Sequence, residues 1–130
     1  MQKLLLSMAV LTVGFSGSSA FAMGEKTYRQ VCMACHASGV ANAPKSGDKV
    51  RWAPLIAEGQ VILTAHGYVG VRGMPAKGGK PDLSIEDFSA ATNYMVNQSG
   101  GDWKRPEKSM MDGIKKELIA RELAQKNPKK

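Results

Sequence analysis

Cys32-Met33-Ala34-Cys35-His36 is the stretch that decides how this chain of 130 residues folds. Two thiols held two residues apart, with an imidazole directly after the second, are what covalent haem attachment requires. Each sulfur can add to one vinyl group of the porphyrin, and the turn of backbone then brings the histidine to the iron. The motif contains both cysteines and one of the two histidines of the chain. It predicts one covalent haem c, bound through Cys32 and Cys35, with His36 as an iron ligand.

The first 22 residues have the composition of a signal peptide. Lys3 supplies a positive charge, residues 4–15 form a mostly apolar run, and Ala20-Phe21-Ala22 is a small-x-small cleavage pattern. The apolar run is shorter than the roughly 20 residues that a membrane span needs, so a retained anchor is only the alternative. We therefore expect an exported, periplasmic protein whose mature chain begins at Met23.

Other uses of the two cysteines fit the sequence less well. A disulfide is common in an oxidising compartment, but a Cys-x-x-Cys pair closes too small a loop to stabilise a fold much. Zinc would need both histidines as well, and the adjacent Cys35 and His36 do not have the usual ligand spacing. A thioredoxin-like dithiol requires a strand before the motif, and no strand pattern is present there.

Helical patterns account for most of the mature sequence, and no segment alternates as a strand would. Before residue 101, helices are predicted over 24–34, from Trp52 to near Gly59, over 60–67, and from an N-cap at Ser84 to near Gly100. Loops rich in glycine, serine and proline are predicted over 37–52 and 67–79. The sequence thus predicts an all-α fold in which two loops border the haem.

The net charge of +7 is concentrated near the C-terminus. Residues 23–103 carry eight basic and seven acidic side chains, whereas residues 104–130 carry nine and four. The predicted division is therefore a cleaved signal peptide (1–22), a monohaem domain (23–100) and a basic C-terminal extension (101–130). Nucleic acid is not an expected partner, because the basic residues lack interleaved aromatic residues and the protein is predicted to be exported.

An extra amphipathic helix is predicted in this extension, with Pro106 as its first residue. Its apolar stripe consists of Met110, Met111, Ile114, Leu118, Ile119 and Leu123. Two roles stay open for it. The helix either docks residues 104–130 on a membrane surface or a partner, or packs on the haem domain with its outer face in solvent.

The sixth iron ligand separates an electron carrier from a haem that binds a small molecule. Met74 is the best candidate among eight methionines, because glycines surround it and Pro75 stiffens the loop. Met95 follows an apolar helical face, as core residues do. His66 is the alternative ligand, although a histidine at a helix end more often interacts with terminal carbonyls at the surface.

Two further predictions concern the surroundings of the haem. Pro44 lies close enough along the chain for its carbonyl to accept a hydrogen bond from His36 Nδ1–H, which would leave Nε2 for iron. Leu55, Ile62 and Leu63 are expected to form a dry apolar wall.

The chain resembles the class I c-type cytochromes, and within them the bacterial cytochrome c-five type. The resemblance extends from about Tyr28 to Val96 and is carried by a set of short motifs. These are the haem motif, Gly39-Val40-Ala41, Ala43-Pro44-Lys45, Gly47-Asp48, Trp52-Ala53-Pro54 and the segment 73–79. Two features depart from the pattern: Lys80 stands where members often carry a further cysteine pair, and the family pattern does not explain the extension.

The resemblance implies a class I cytochrome c fold in which the helix of Tyr28 crosses the helix of Tyr94. It also implies thioethers from both cysteines, proximal His36 and distal Met74. The implied function is single-electron transfer, not enzymatic catalysis, between membrane-bound respiratory complexes or soluble reductases. A haem protein that binds or senses a small ligand at a labile distal site, and a cytochrome subunit tethered through its C-terminal helix, are the alternatives.

Overall fold

The computed structural model describes residues 18–128, with side chains from Phe21 onwards. This part of the chain is helical and contains no strand, only an isolated bridge between Val71 and Met74. Six α-helices are present: α1 (Ser18–Thr27), α2 (Met33–His36), α3 (Lys49–Ala57), α4 (Gln60–Val69), α5 (Ile85–Gln98) and α6 (Lys108–Lys126). Short 3-10 turns cover Val40–Asn42 and Ala76–Gly79. The all-α prediction is confirmed for the described residues.

The first helical segment is longer than the predicted 24–34. A π-helical turn, Tyr28–Cys32, joins α1 to α2, and the backbone N–H of Met33 bonds to the carbonyl of Tyr28 across it. Of the predicted signal peptide, residues 1–17 lie outside the described residues. Residues 18–22 already belong to α1, so the predicted cleavage position falls within a helix.

Helices α1 and α5 cross at close range. The Tyr94 ring lies 5.3 Å from that of Phe21 and 5.2 Å from that of Tyr28, measured between centroids. Gly24 permits this approach, because a Cβ there would overlap the carbonyl oxygen of Ala90. The two helices are thereby fixed against each other beside the haem motif.

Capping explains where the middle helices begin. Ser84 Oγ accepts a hydrogen bond from the Asp87 N–H (3.1 Å), as the sequence predicts for the start of α5. Asp48 accepts similarly from the Arg51 N–H (3.1 Å), so α3 begins at Lys49, earlier than the predicted start at Trp52. The core between these helices contains Cys32, Trp52, Ala91, Met95 and Val96.

Helix α6 packs on α4. Ile114 is fully buried there with Ala65, and Met111 and Leu118 flank it. The prediction that Pro106 begins the helix is wrong, because Glu107 is the N-cap and the first helical residue is Lys108. The rest of the predicted stripe, Met110, Ile119 and Leu123, is exposed.

No helix between residues 18 and 128 has both the length and the hydropathy that crossing a membrane requires.

Candidate cofactor site

A cavity of about 640 Å³ lies between the end of the first helical segment, α3, α4 and the two predicted loops. Its lining includes the candidate haem residues Cys32, Cys35, His36, Pro44 and Met74. Residues that are far apart in sequence are thus brought to one site by the fold.

Much of the cavity wall is apolar. Leu55 and Leu63 border it as predicted, together with Phe88. Ile62 does not, and its prediction is wrong. Consecutive residues of a helix point about 100° apart, so Ile62 and Leu63 cannot face the same side of α4. The wall nevertheless provides a surface from which water can be excluded.

His36 is the last residue of α2 and is buried. Its Nδ1 lies 2.8 Å from the carbonyl oxygen of Pro44, the contact expected from the sequence. The His36 carbonyl in turn accepts a hydrogen bond from the Ser46 N–H (2.7 Å). A ring whose Nδ1–H donates to a carbonyl keeps Nε2 available for a metal, so this loop can orient the imidazole.

The two cysteines have different surroundings. Cys32 is buried and Cys35 is only half-buried. Burial, with a smaller contribution from the charge of Cys35, raises the pKa of the Cys32 thiol to about 11. Both thiols border the cavity, and the more accessible of the two is Cys35.

Met74 is held by the backbone around it. Its N–H donates to the carbonyl of Val71 (2.9 Å), and its carbonyl accepts from the Val71 N–H (3.1 Å). The turn between them places Arg72 in the left-handed region, at φ 53°. Gly70 has φ 97°, and a Cβ there would lie 2.9 Å from the Ala76 nitrogen. This tight turn presents the methionine to the cavity.

Side-chain contacts also hold the loop that follows Met74. Lys77 Nζ donates to the carbonyl of Pro81 (2.8 Å) and lies 5.3 Å from the centroid of the Tyr68 ring. The Tyr68 hydroxyl donates to the carbonyl of Leu83 (2.8 Å). These contacts join the loop to α4 and to the start of α5.

The alternative ligand His66 also borders the cavity, as does Met95. Met95 is buried in the core, in agreement with the prediction from its helical spacing. The expectation that His66 interacts with terminal carbonyls is wrong, because its Nε2 lies 3.1 Å from Oε1 of Glu117 on α6. That contact depends on a helix far away in sequence, which no local pattern could reveal.

Charged side chains also line the cavity: Arg51, Arg72, Arg121 and Glu58. The Arg51 guanidinium donates to the backbone carbonyl and the side-chain oxygen of Asn42, at 3.0 and 3.2 Å. Arg121 Nε is buried and has no hydrogen-bond partner among residues 18–128. The sequence prediction missed Arg121, although it lies seven residues after Ile114 and so shares the inner face of α6.

The chain is similar in sequence to several known cytochromes. Cytochrome c-555 of Chlorobaculum thiosulfatiphilum is 48% identical over 82 residues, which cover 60% of this chain and 95% of that protein. Cytochrome c-555 of Chlorobaculum tepidum is 42% identical over 99 residues, covering 73% and 92%. Cytochrome c5 of Azotobacter vinelandii is 36% identical over 74 residues, covering 55% and 89%.

A family model described as "Cytochrome C oxidase, cbb3-type, subunit III" matches residues 19–95, more than half of the chain. The chain belongs to the class I c-type cytochromes. A solved structure described as an electron transfer complex of nitrite reductase with cytochrome c contains a similar chain. The identity is 47% and the TM-score 0.57, with 59% of this chain and 94% of that chain covered. The predicted class I cytochrome c fold is therefore confirmed.

As a class I c-type cytochrome, the protein carries one covalently bound haem c with its iron. It transfers electrons and is not an enzyme. The cavity fits this group, because it combines two thiols, an imidazole with Nδ1 engaged, and a thioether. Its three guanidinium groups outnumber its one carboxylate, which suits a cofactor with two propionates.

Proposed function

We propose that this class I c-type cytochrome carries single electrons in the periplasm, and that His36 and Met74 would hold the haem iron as its two protein ligands. Cys32 and Cys35 are the thioether residues. The observation that carries the proposal is that all four side chains border one cavity although Met74 is far from the motif in sequence. Six ligands retained in both oxidation states would leave no position for a substrate, as outer-sphere electron transfer requires.

Each of these residues has a defined task. Pro44 accepts the Nδ1–H of His36 and so fixes the tautomer and the ring orientation. The backbone pair with Val71 positions the Met74 thioether. Leu55 and Leu63 exclude water. Haem c supplies a one-electron iron couple, whose reduced state a thioether ligand favours relative to a second imidazole.

Electron exchange needs a surface on which a partner can bind. Val40 lines the cavity and is 51% exposed, and Met33 within the motif is 41% exposed. These side chains support partner contact beside the haem motif. A similar cytochrome c forms an electron transfer complex with nitrite reductase, which supports a redox enzyme as the partner class. Membrane-bound respiratory complexes and soluble reductases are the proposed candidates.

The domain limits stay a prediction: a signal peptide over 1–22, a haem domain over 23–100 and an extension over 101–130. Export to the periplasm follows from the composition of the signal segment. Docking of residues 104–130 on a partner or on anionic lipid stays a prediction, and the exposed Ile119 and Leu123 support it. If the protein without residues 104–130 bound its redox partner and anionic lipid with unchanged salt dependence, the docking prediction would be contradicted.

Replacing the distal ligand tests the iron ligation. The Met74→Ala protein is expected to retain its haem, since both thioethers remain, but to become high-spin and to lose the methionine-to-iron charge-transfer band. Met95→Leu is the matched control, because it removes the second methionine of the cavity lining with little change in side-chain volume. An unchanged optical spectrum in Met74→Ala would remove Met74 from the ligand set.

Carbon monoxide distinguishes the carrier from a haem that binds small ligands. The reduced wild-type protein is expected to resist the gas, because Met74 holds the distal position. Rapid and complete binding would support the ligand-binding alternative. The His66→Gln protein should behave as wild type, since Glu117 already engages the imidazole.

A further inference from the structure

We propose that α6 completes the haem crevice and that Arg121 binds a haem propionate carboxylate. The inference rests on the proposal above that the cavity bordered by His36 and Met74 is the haem site. It assigns a cofactor-binding role to the C-terminal extension, which lies beyond the family match that ends at residue 95.

Three different contacts fix α6 along α4. Ile114 is fully buried in their interface. Further along the helix, Glu117 Oε1 lies 3.1 Å from Nε2 of His66, and Gln125 donates to the carbonyl of Gly70 (3.3 Å). Because apolar packing and two polar contacts hold the helix at separate points, its rotation about its own axis is defined. Arg121, one turn after Glu117, therefore has a fixed approach to the cavity.

Arg121 differs from the other cationic residues of the lining. Arg51 already donates to two oxygens of Asn42, and Arg72 is an exposed residue. Arg121 Nε is buried without a partner among residues 18–128. A buried guanidinium donor without an acceptor is costly, so an anion that enters the same cavity is the expected partner.

The chemistry of the group suits a haem carboxylate. A guanidinium presents parallel donors that match both oxygens of a carboxylate, whereas an ammonium acts as a single point of charge. The protein carboxylate in the lining, Glu58, forms no ion pair with Arg121. Bound haem c would bring two propionate carboxylates to the cavity, and these are the acidic groups left to pair with Arg121. A cation here also stabilises the reduced iron and so raises the reduction potential.

Arginine side-chain NMR of the reduced, haem-loaded wild-type protein tests the contact without any substitution. The Arg121 Nε–H is expected to exchange slowly with solvent, because it is buried and hydrogen-bonded. Exchange as fast as that of an exposed arginine would overturn the proposal. This outcome is independent of the Met74→Ala spectrum, so failure of the ligand assignment and failure of this inference are distinguishable.

Substitution provides the second test. Arg121→Gln is expected to lower the reduction potential, and the decrease should be several times the decrease caused by Lys116→Gln. The Lys116→Gln control removes the same charge from an exposed position of α6. Arg121→Gln should also shift the propionate carboxylate bands in the redox-difference infrared spectrum, and Arg121→Lys should restore the potential only in part. Equal effects of Arg121→Gln and Lys116→Gln on the potential, with unchanged carboxylate bands, would overturn the proposal.

Discussion

Ile114 on α6 offers a direct measure of how far the C-terminal extension belongs to the fold. The side chain is completely buried between α6 and α4, where it contacts the cluster around Ala65. Replacing it by alanine removes three carbon atoms from this interface and leaves the charge of the helix unchanged. If α6 unfolds together with the haem domain, the loss must appear in the free energy of unfolding of the whole protein.

The expected loss in the free energy of unfolding of Ile114→Ala is about 3 kcal/mol. Three buried carbons contribute roughly 0.8 kcal/mol each in transfer free energy, or about 2.4 kcal/mol. An incompletely collapsed cavity adds to this, and large-to-alanine substitutions in cores cost roughly 2–5 kcal/mol. Alanine regains a few tenths of a kcal/mol because it favours helix more than isoleucine does.

Urea unfolding followed by far-ultraviolet circular dichroism, with the haem kept oxidised, measures this loss. Ile119→Ala is the matched control: it makes the same change on the same helix, at a side chain that is 57% exposed. The control removes the helix-propensity effect and should change stability by no more than about 0.5 kcal/mol. Equal, small losses for both variants would refute the reasoning, because they would mean that α6 does not pack stably on α4.

Three other substitutions test particular contacts. Gly24→Ala should cost about 1–3 kcal/mol in urea unfolding, since its Cβ would overlap the carbonyl of Ala90; wild-type stability would contradict the close crossing of α1 and α5. Ser84→Ala should cost about 1 kcal/mol through loss of the α5 cap, and an unchanged melting temperature would contradict that cap. The hydrogen bond from Lys115 lowers the pKa of Glu86 below its ordinary value of 4.5. The pairing of Glu86 with Lys115 therefore stabilises the folded protein above pH 4.5, and this contribution is lost as the pH falls through the lowered pKa. NMR titration should show this pKa rising in Lys115→Gln, and no change would rule out the pairing.

The predictions that succeed depend on local chemistry. The haem motif needs only five adjacent residues, and the start of α5 needs only a serine with its neighbours in the first turn. The hydrogen bond between His36 and Pro44 is predictable because a short loop limits where the Pro44 carbonyl can lie. Local sequence does not fix every helix end: Pro106 suits a first helical position, yet the chain uses Glu107 as the N-cap.

Contacts between distant residues could not be predicted in the same way. His66 has a pattern typical of a helix end, but its partner Glu117 lies on a helix 51 residues later. Arg121 appears in the sequence as one more charge in a basic segment. Only the packing of α6 against α4 turns it towards the cavity. Such roles depend on tertiary packing, for which one sequence contains no local signal.

Three residues that line the cavity have left-handed backbone although they are not glycine: Ala41 (φ 50°), Asn42 (φ 64°) and Arg72 (φ 53°). This conformation costs roughly 1–2 kcal/mol for a residue with a Cβ, somewhat less for asparagine. Glycine at these positions would relieve that cost, but it would also widen the range of conformations open to the loops. Glycine substitutions made here to increase stability would therefore also make the loops around the cofactor more flexible.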